Sequence, residues 1–247
     1  MQYPNIVEFK VYGKQALFSD PVTRVGREKL SYQIPTYEAL KGILHSIYWK
    51  PTIIWIIDKV RIMNCIQTYS SGIRPIKYCE GGNDLSIYTY LKDVEYQVQA
   101  HFIWNENRPE LEKDRNENKH HNIAKRMIQK GGRRDIFLGT RECQGYVEPC
   151  AFGEEKSFYD DVEELNFGFM LHGFTYPDEI NKDKRPQDEG FLTVRFWKPI
   201  MKKGIIKFIK PEDCEDKYCR HIKKMDMKKF DDTNFVGLKE FIEGEYI

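Results

Sequence analysis

This sequence has no long apolar run and no excess of charge of one sign. No stretch approaches the roughly 20 consecutive apolar residues of a membrane-spanning helix. Residues 1–8 lack the basic start and apolar stretch of a secretory signal peptide. We therefore expect a cytoplasmic protein with no membrane partner. With 39 basic and 38 acidic side chains, the net charge of +1 does not by itself indicate a partner.

Cysteine is too sparse to build a disulfide-based fold, since the 247 residues contain six. In a cytoplasmic chain these are expected to be reduced thiols. The spacing nearest to a metal motif is Cys214, Cys219 and His221, which lacks the second ligand pair of a structural zinc site. A zinc-dependent binding protein is thus an alternative that rests on these three residues alone. We predict no metal and no other cofactor.

Although the total charge is close to zero, its distribution along the chain is uneven. Residues 113–134, here called the basic strip, carry eight lysines and arginines against two acids. Residues 154–164, here called the acidic segment, carry six acids against one lysine. A dense basic surface is typical of a site where a polyanion binds. The distribution therefore favours a nucleic-acid partner, although a solvated helix face would have the same composition.

Within the basic strip, Lys119 and His120 combine a fixed cation with a titratable imidazole. Cleavage of a phosphodiester without a metal requires a group that moves a proton and a group that stabilises charge building on phosphorus. His120 suits the first task as base or as acid, because an imidazole titrates near neutral pH. The alternative is an incidental histidine pair, His120 and His121, on a solvated helix.

A tyrosine near the end of the first predicted helix is the third candidate for chemistry. Thr36 can cap that helix, Leu40, Ile43, Leu44 and Ile47 form its apolar stripe, and Pro51 ends it. Tyr48 lies in the last turn and could present its hydroxyl beyond the helix end. The structural alternative is an aromatic ring packed in the core with its hydroxyl in water.

The predicted elements of the first 150 residues follow the order strand, helix, strand, strand, helix, strand. The second helix spans about residues 117–130 and is closed by Gly131 and Gly132 as a C-terminal cap. This order is typical of ferredoxin-like and RNA-recognition-motif domains. Short alternating segments after residue 150 predict a small antiparallel sheet. We therefore predict an α+β protein with a ferredoxin-like domain at 1–150 and a β-rich domain at 151–247.

Five longer strings of residues occur in a fixed order along the chain. Three precede residue 140: Gly42-x-x-x-Ser-Ile-Tyr-Trp-Lys-Pro51, Asp114-Arg-Asn-Glu-x-Lys-His120 and Gly131-Gly-Arg-Arg-Asp-Ile-Phe-Leu-Gly139. Two follow: Arg141-Glu-Cys-Gln-Gly-Tyr146 and His172-Gly-Phe-x-Tyr-Pro-Asp178. Taken together, these strings resemble the I-C subtype of family five of the CRISPR-associated (Cas) proteins, in the family's order, and the resemblance extends from Phe9 to about Asp213.

The resemblance implies an endoribonuclease that cleaves CRISPR precursor RNA at the base of the repeat hairpin. Such an enzyme uses no metal, leaves a 2′,3′-cyclic phosphate, and stays with the RNA in a type I-C surveillance complex. By motif, the family's catalytic tyrosine, lysine and histidine fall on Tyr48, Lys119 and His120. The alternative is an architectural RNA-binding subunit of the same complex without turnover. The partners implied are CRISPR repeat RNA and the other subunits of that complex.

The remaining candidates are RNA-binding residues in and just after the basic strip. Glycines allow close approach of an RNA backbone, and arginines clamp phosphates or stack on bases. A helix cap followed by a loop of salt bridges is the structural alternative for the glycine-rich segment, and the two roles are compatible. The predicted RNA-binding residues are Arg115, Lys125, Arg126, Gly131, Gly132, Arg133, Arg134 and Arg141.

Overall fold

The computed structural model describes residues 4–23, 28–77 and 81–227. The segment Val236–Ile242, for which the sequence suggested helical periodicity, lies outside the described residues. The described ranges form helices and mostly antiparallel strands, which confirms the predicted α+β class. Their α-helices are α1 (Tyr37–Ile47) and α2 (Glu117–Gln129). None of their helices is long and apolar enough to span a membrane.

The strands are, in chain order, β1 (Val7–Ala16), β2 (Glu28–Leu30), β3 (Ile53–Ile62), β4 (Thr68–Ile73), β5 (Ser86–Trp104), β6 (Ile136–Phe137), β7 (Gln144–Pro149), β8 (Leu165–Asn166), β9 (Met170–Thr175), β10 (Phe191–Trp197), β11 (Ile200–Lys202), β12 (Ile205–Lys207) and β13 (Cys219–Lys224). The large sheet has the order β6-β7-β1-β5-β3-β12-β11-β8, with β2 and β4 also pairing with β5. Its pairings are antiparallel except for β2 with β5. A second antiparallel sheet has the order β13-β10-β9.

Helix α1 forms where the sequence predicts it, for the predicted reasons. The Thr36 side chain accepts a hydrogen bond from the Ala39 amide and caps the first turn. The apolar stripe is buried against the sheet, with Leu40, Leu44 and Ile47 fully inaccessible to solvent. The helix ends at Ile47, so Tyr48 has an extended backbone while its amide still donates to Leu44.

Helix α2 begins and ends at the positions that matter for the site. The Asn116 side chain caps its first turn by accepting from the Lys119 amide at 3.0 Å. The amides of Gly131 and Gly132 donate to Ile128 and Met127 at 3.0 and 2.8 Å, which confirms the predicted glycine cap. Both glycines have positive φ, a conformation that costs other residues energy. Helix α2 packs through His120, Ala124 and Ile128.

The structure differs from the sequence prediction between residues 68 and 92. The glycines and Pro75 of residues 70–84 predict a loop there, and the alternating pattern predicts a long strand only after Asp93. Instead, β4 pairs with the first part of β5, which is already a strand from Ser86. Strands β8, β11 and β12 come from beyond residue 150, yet they extend the large sheet past β3. The division into domains at residue 150 stays a prediction.

Candidate active site

Tyr48 and His120, which are 72 residues apart in sequence, are hydrogen-bonded in the interior. The Tyr48 hydroxyl lies 2.7 Å from His120 Nδ1. The two elements that carry them fix this contact, because Tyr48 terminates α1 and His120 lies in the first turn of α2. The rings of Phe102 and Trp104 from β5 pack against the imidazole in T-shaped contacts, with centroids 6.2 and 5.7 Å from it. His120 is 0% exposed and Tyr48 is 3% exposed, so both side chains are buried.

Asp114 joins this pair to Lys119. Its carboxylate accepts from Lys119 Nζ at 2.5 Å and from the Thr52 hydroxyl at 2.8 Å. Its backbone carbonyl lies 2.8 Å from His120 Nε2, and its carboxylate lies 3.5 Å from the same nitrogen. Sequence reasoning missed Asp114 and Thr52. The signal available for Asp114 was its position two residues before Asn116, the cap of the helix that carries Lys119 and His120.

The electrostatics of the site follow from these contacts. Hydrogen bonds from Lys119 and Thr52 lower the pKa of Asp114, so its carboxylate stays ionised. Burial and the negative charge of Asp114 raise the pKa of Tyr48 to about 12, although the nearby Arg133 opposes this. Tyr48 is therefore a neutral phenol at neutral pH, able to donate a hydrogen bond.

Neighbouring residues of α2 point in different directions. The Lys119 side chain is 49% exposed, whereas His120 faces the core. His121 lies beside a different groove, of about 660 Å³, which Lys125 also lines, and its Nε2 lies 2.9 Å from the backbone carbonyl of Ile6. The structure thus brings Tyr48, Lys119 and His120 together around Asp114 and turns His121 away.

The glycine-rich loop after α2 lies against the end of α1. The amides of Arg133 and Arg134 both donate to the Ser46 carbonyl, at 3.1 and 3.0 Å. This places Arg133 close enough to Tyr48 to affect its ionisation. Further along, Gly139 lies against the backbone of Leu17. A Cβ atom added at Gly139 would lie 2.0 Å from the Leu17 carbonyl oxygen. The loop is therefore held at both ends, beside Tyr48.

Most predicted RNA-binding cations are exposed. Five of them form no ion pair with an acid among the residues that the structure describes; they are Lys125, Arg126, Arg133, Arg134 and Arg141. Arg141 lies over the ring of Phe137. Arg115 is different, because it is half-buried and donates to the Asn105 carbonyl at 3.0 Å. Exposed cations without an acidic partner remain available to an anionic ligand.

The acidic segment is attached to the other end of β3. Ser157 donates to the Ile62 carbonyl, and Asp160 pairs with Arg61. The site, in contrast, lies at the start of β3, next to Thr52. Ten strand residues at about 3.3 Å each separate the two ends by roughly 30 Å. The Arg61–Asp160 pair is thus several screening lengths of about 8–10 Å away from the site.

Metal-ligating side chains do not converge in the ranges 4–23, 28–77 and 81–227, where no group of three or more could hold a metal ion. Cys214 and Cys219 are buried, and His221 lies 2.9 Å from an Asp188 carboxylate oxygen.

The fold and the site together have the features of a protein that processes nucleic acid. These features are an exposed basic surface suited to a polyanion and, next to it, side chains that can move a proton and stabilise negative charge. More specifically, the chain belongs to the CRISPR-associated Cas5 family. The family model Cas_Cas5d, described as a CRISPR-associated protein (Cas_Cas5), matches residues 6–209.

Two curated relatives and two solved structures are similar to this chain. A CRISPR pre-crRNA endoribonuclease Cas5d from Mannheimia succiniciproducens is 27% identical over 233 residues, covering 82% of this chain and 94% of the relative. The protein of the same name from Thermus thermophilus is 28% identical over 215 residues, covering 80% and 89%. A crystal structure of a CRISPR-associated protein has a TM-score of 0.71 and 36% sequence identity, covering 87% of this chain and 96% of that protein's chain. A functionally uncharacterized protein from Streptococcus mutans has TM-score 0.69 and 40% identity over the same shares.

Proposed function

We propose that this protein is an endoribonuclease that cleaves CRISPR precursor RNA within the repeat, at the hairpin base, without a metal ion. The observation that carries the proposal is the Tyr48–His120 hydrogen bond beside the half-exposed ammonium of Lys119. These are the residues onto which the family's catalytic set maps by motif. Two relatives that match over most of their length are named pre-crRNA endoribonucleases.

The proposed reaction uses the 2′-hydroxyl of the RNA as the nucleophile. Attack on the adjacent phosphorus gives a 2′,3′-cyclic phosphate and releases the 5′-oxygen of the next nucleotide. The protein then needs to supply proton transfer, charge stabilisation and alignment. Tyr48 and His120 form the proton-transfer pair, and Lys119 neutralises charge that grows on the phosphate oxygens.

The proposed RNA-binding surface surrounds that site. Lys125 and Arg126 on α2, Arg133 and Arg134 on the loop, and Arg141 beyond it would contact phosphates, with Gly131 and Gly132 allowing close approach. Their lack of acidic partners in the described part of the chain supports this assignment over a loop of salt bridges. Arg115 would act less directly, since its guanidinium already bonds the backbone.

The finer description of the fold is part of the same proposal. The central strands of the large sheet have the order β7-β1-β5-β3. Along the chain, α1 lies between β1 and β3, and α2 lies between β5 and β7. This connectivity supports a ferredoxin-like arrangement for residues 1–150. Residues 151–247 would form a β-rich second part that adds strands to the same sheet. After cleavage the protein would stay on the 5′ handle as a subunit of a type I-C surveillance complex.

Replacement of His120 by Gln tests the proposed function. Glutamine retains polar atoms for Tyr48 and the Asp114 carbonyl but cannot titrate. We expect cleavage of labelled repeat RNA to fall about 100-fold or more, with affinity within a few-fold of wild type. His121→Gln is the matched control, because this neighbour faces the other groove. A wild-type protein that binds repeat RNA without cutting it would favour the architectural subunit instead.

A further inference from the structure

Hydrogen-bond directions around His120 determine which nitrogen carries the proton. The group next to Nε2 is the backbone carbonyl of Asp114, at 2.8 Å, and a carbonyl oxygen only accepts. The hydrogen must therefore lie on Nε2. In the neutral imidazole this leaves Nδ1 as an acceptor, so the Tyr48 hydroxyl donates to it across 2.7 Å. The arrangement resembles a buried triad in which a third group orients a histidine toward a hydroxyl.

Asp114 is built to hold this arrangement. Its carboxylate is anchored by Thr52 and Lys119, and it lies 3.5 Å from His120 Nε2. A fixed negative charge at that distance attracts the positive charge that the ring gains when Nδ1 takes up a proton. The same residue therefore provides both the carbonyl that selects the tautomer and the carboxylate that stabilises the product of proton transfer.

We propose that Asp114 is a positioning residue that makes His120 a proton acceptor for Tyr48, so that the proton of the attacking 2′-hydroxyl leaves through Tyr48. This rests on the proposed function and deepens it, because it assigns the direction of proton transfer. Burial favours this route, because His120 has no exposed surface, whereas Tyr48 retains a small exposed fraction of 3% and lies close enough to Arg133 to sense its charge.

The step balances without a further reagent. The 2′-hydroxyl gives its proton to the Tyr48 oxygen while the phenol proton moves to His120 Nδ1, so no free phenolate forms. The 2′-oxygen forms a bond to phosphorus, and the bond from phosphorus to the 5′-oxygen breaks. Water protonates the departing 5′-oxygen, and the imidazolium later returns its proton to water through Tyr48. Lys119 stabilises the phosphate throughout.

A double-mutant cycle separates this relay from independent action. We expect Tyr48→Phe and His120→Gln each to lower the single-turnover rate at saturating RNA by about 100-fold or more. Both residues act in one proton relay, so removing the second should cost little once the first is gone. The rate of the double variant should therefore lie within about threefold of the slower single variant. Losses that multiply would overturn the relay. A wild-type protein that cuts nothing would instead overturn the proposed function.

The pH dependence of Asp114→Asn provides a second readout, which a purely structural residue would not change. The charged and titratable groups that face His120 and Tyr48 are Asp114, Lys119 on α2 and Arg133 from the loop. Removing the carboxylate should lower the plateau rate and shift the rising limb of the pH–rate profile to lower pH. Repeat-RNA affinity should stay equal or rise, since a negative charge is lost.

Two further variants control this experiment. Asp114→Glu retains the charge and should retain the position of the limb. Glu117→Gln removes an exposed acid from the first turn of α2 and should leave both the limb and the plateau unchanged. A limb that stays in place in Asp114→Asn would reduce Asp114 to a structural anchor and would overturn the proposal.

Discussion

Tyr48→Phe tests the buried hydrogen bond at the centre of the site through its effect on stability. The substitution retains the ring, so it opens no cavity, and removes only the hydroxyl that donates to His120 Nδ1 at 2.7 Å. The imidazole is 0% exposed and cannot find water as a substitute. A buried acceptor left unpaired costs about 1–3 kcal/mol. For a chain of this size we expect Tm to fall by about 2–12 °C.

The assay is thermal unfolding of both proteins in one buffer, together with cleavage of labelled repeat RNA. Tyr12→Phe is the control, because its hydroxyl bonds Glu148 at an exposed position where the loss should stay within about 0.5 kcal/mol. If Tyr48→Phe retains full stability, Tyr48 does not donate to His120 in solution. If it loses stability but cleaves at the wild-type rate, Tyr48 is a structural residue only.

Three other predictions concern charge. Lys119→Ala should lower the maximal cleavage rate more than it lowers RNA affinity, and Lys119→Arg should recover only part of the lost rate. If Lys119→Ala cleaves at the full rate with saturating RNA, Lys119 is a docking residue. Arg133→Ala with Arg134→Ala should weaken RNA binding and flatten its dependence on salt, and an unchanged salt slope would contradict phosphate contacts. Burial lowers the pKa of His172 well below its usual range and that of His45 to about 4, so both fold uncharged. The unfolded chain protonates them near pH 6.5, so denaturant unfolding should show stability falling below that pH, by up to about 1.4 kcal/mol per unit for each histidine, and His172→Gln should reduce the slope.

Where local pattern and tertiary structure agree, the sequence predicted the fold well. The apolar stripe and cap of α1 follow from 3.6-residue periodicity, and the glycines after α2 follow from the conformation that a helix end requires. Strand β4 could not be predicted in this way. It contains Gly72, and most of its side chains are exposed, so it is a strand because β5 provides its hydrogen-bond partners.

The site shows a similar division. Residue types and a shared motif were sufficient to select Tyr48, Lys119 and His120. The full burial of His120 was not predicted, although Ala124 and Ile128, at positions i+4 and i+8 from it, place it on the apolar face of α2. Asp114 could not be selected from the sequence, because its role depends on a 3₁₀ turn, Pro109–Asp114. This turn places the Asp114 backbone carbonyl next to His120 Nε2.

The central claim is that the RNA supplies its own nucleophile. The most direct test is to incubate the purified protein with labelled repeat RNA in excess EDTA, and with the same RNA carrying one 2′-deoxy sugar before the cut. The account predicts full cleavage of the first RNA, with a 2′,3′-cyclic phosphate end, and none of the second. Cleavage of the deoxy substrate, or loss of all activity in EDTA, would contradict it.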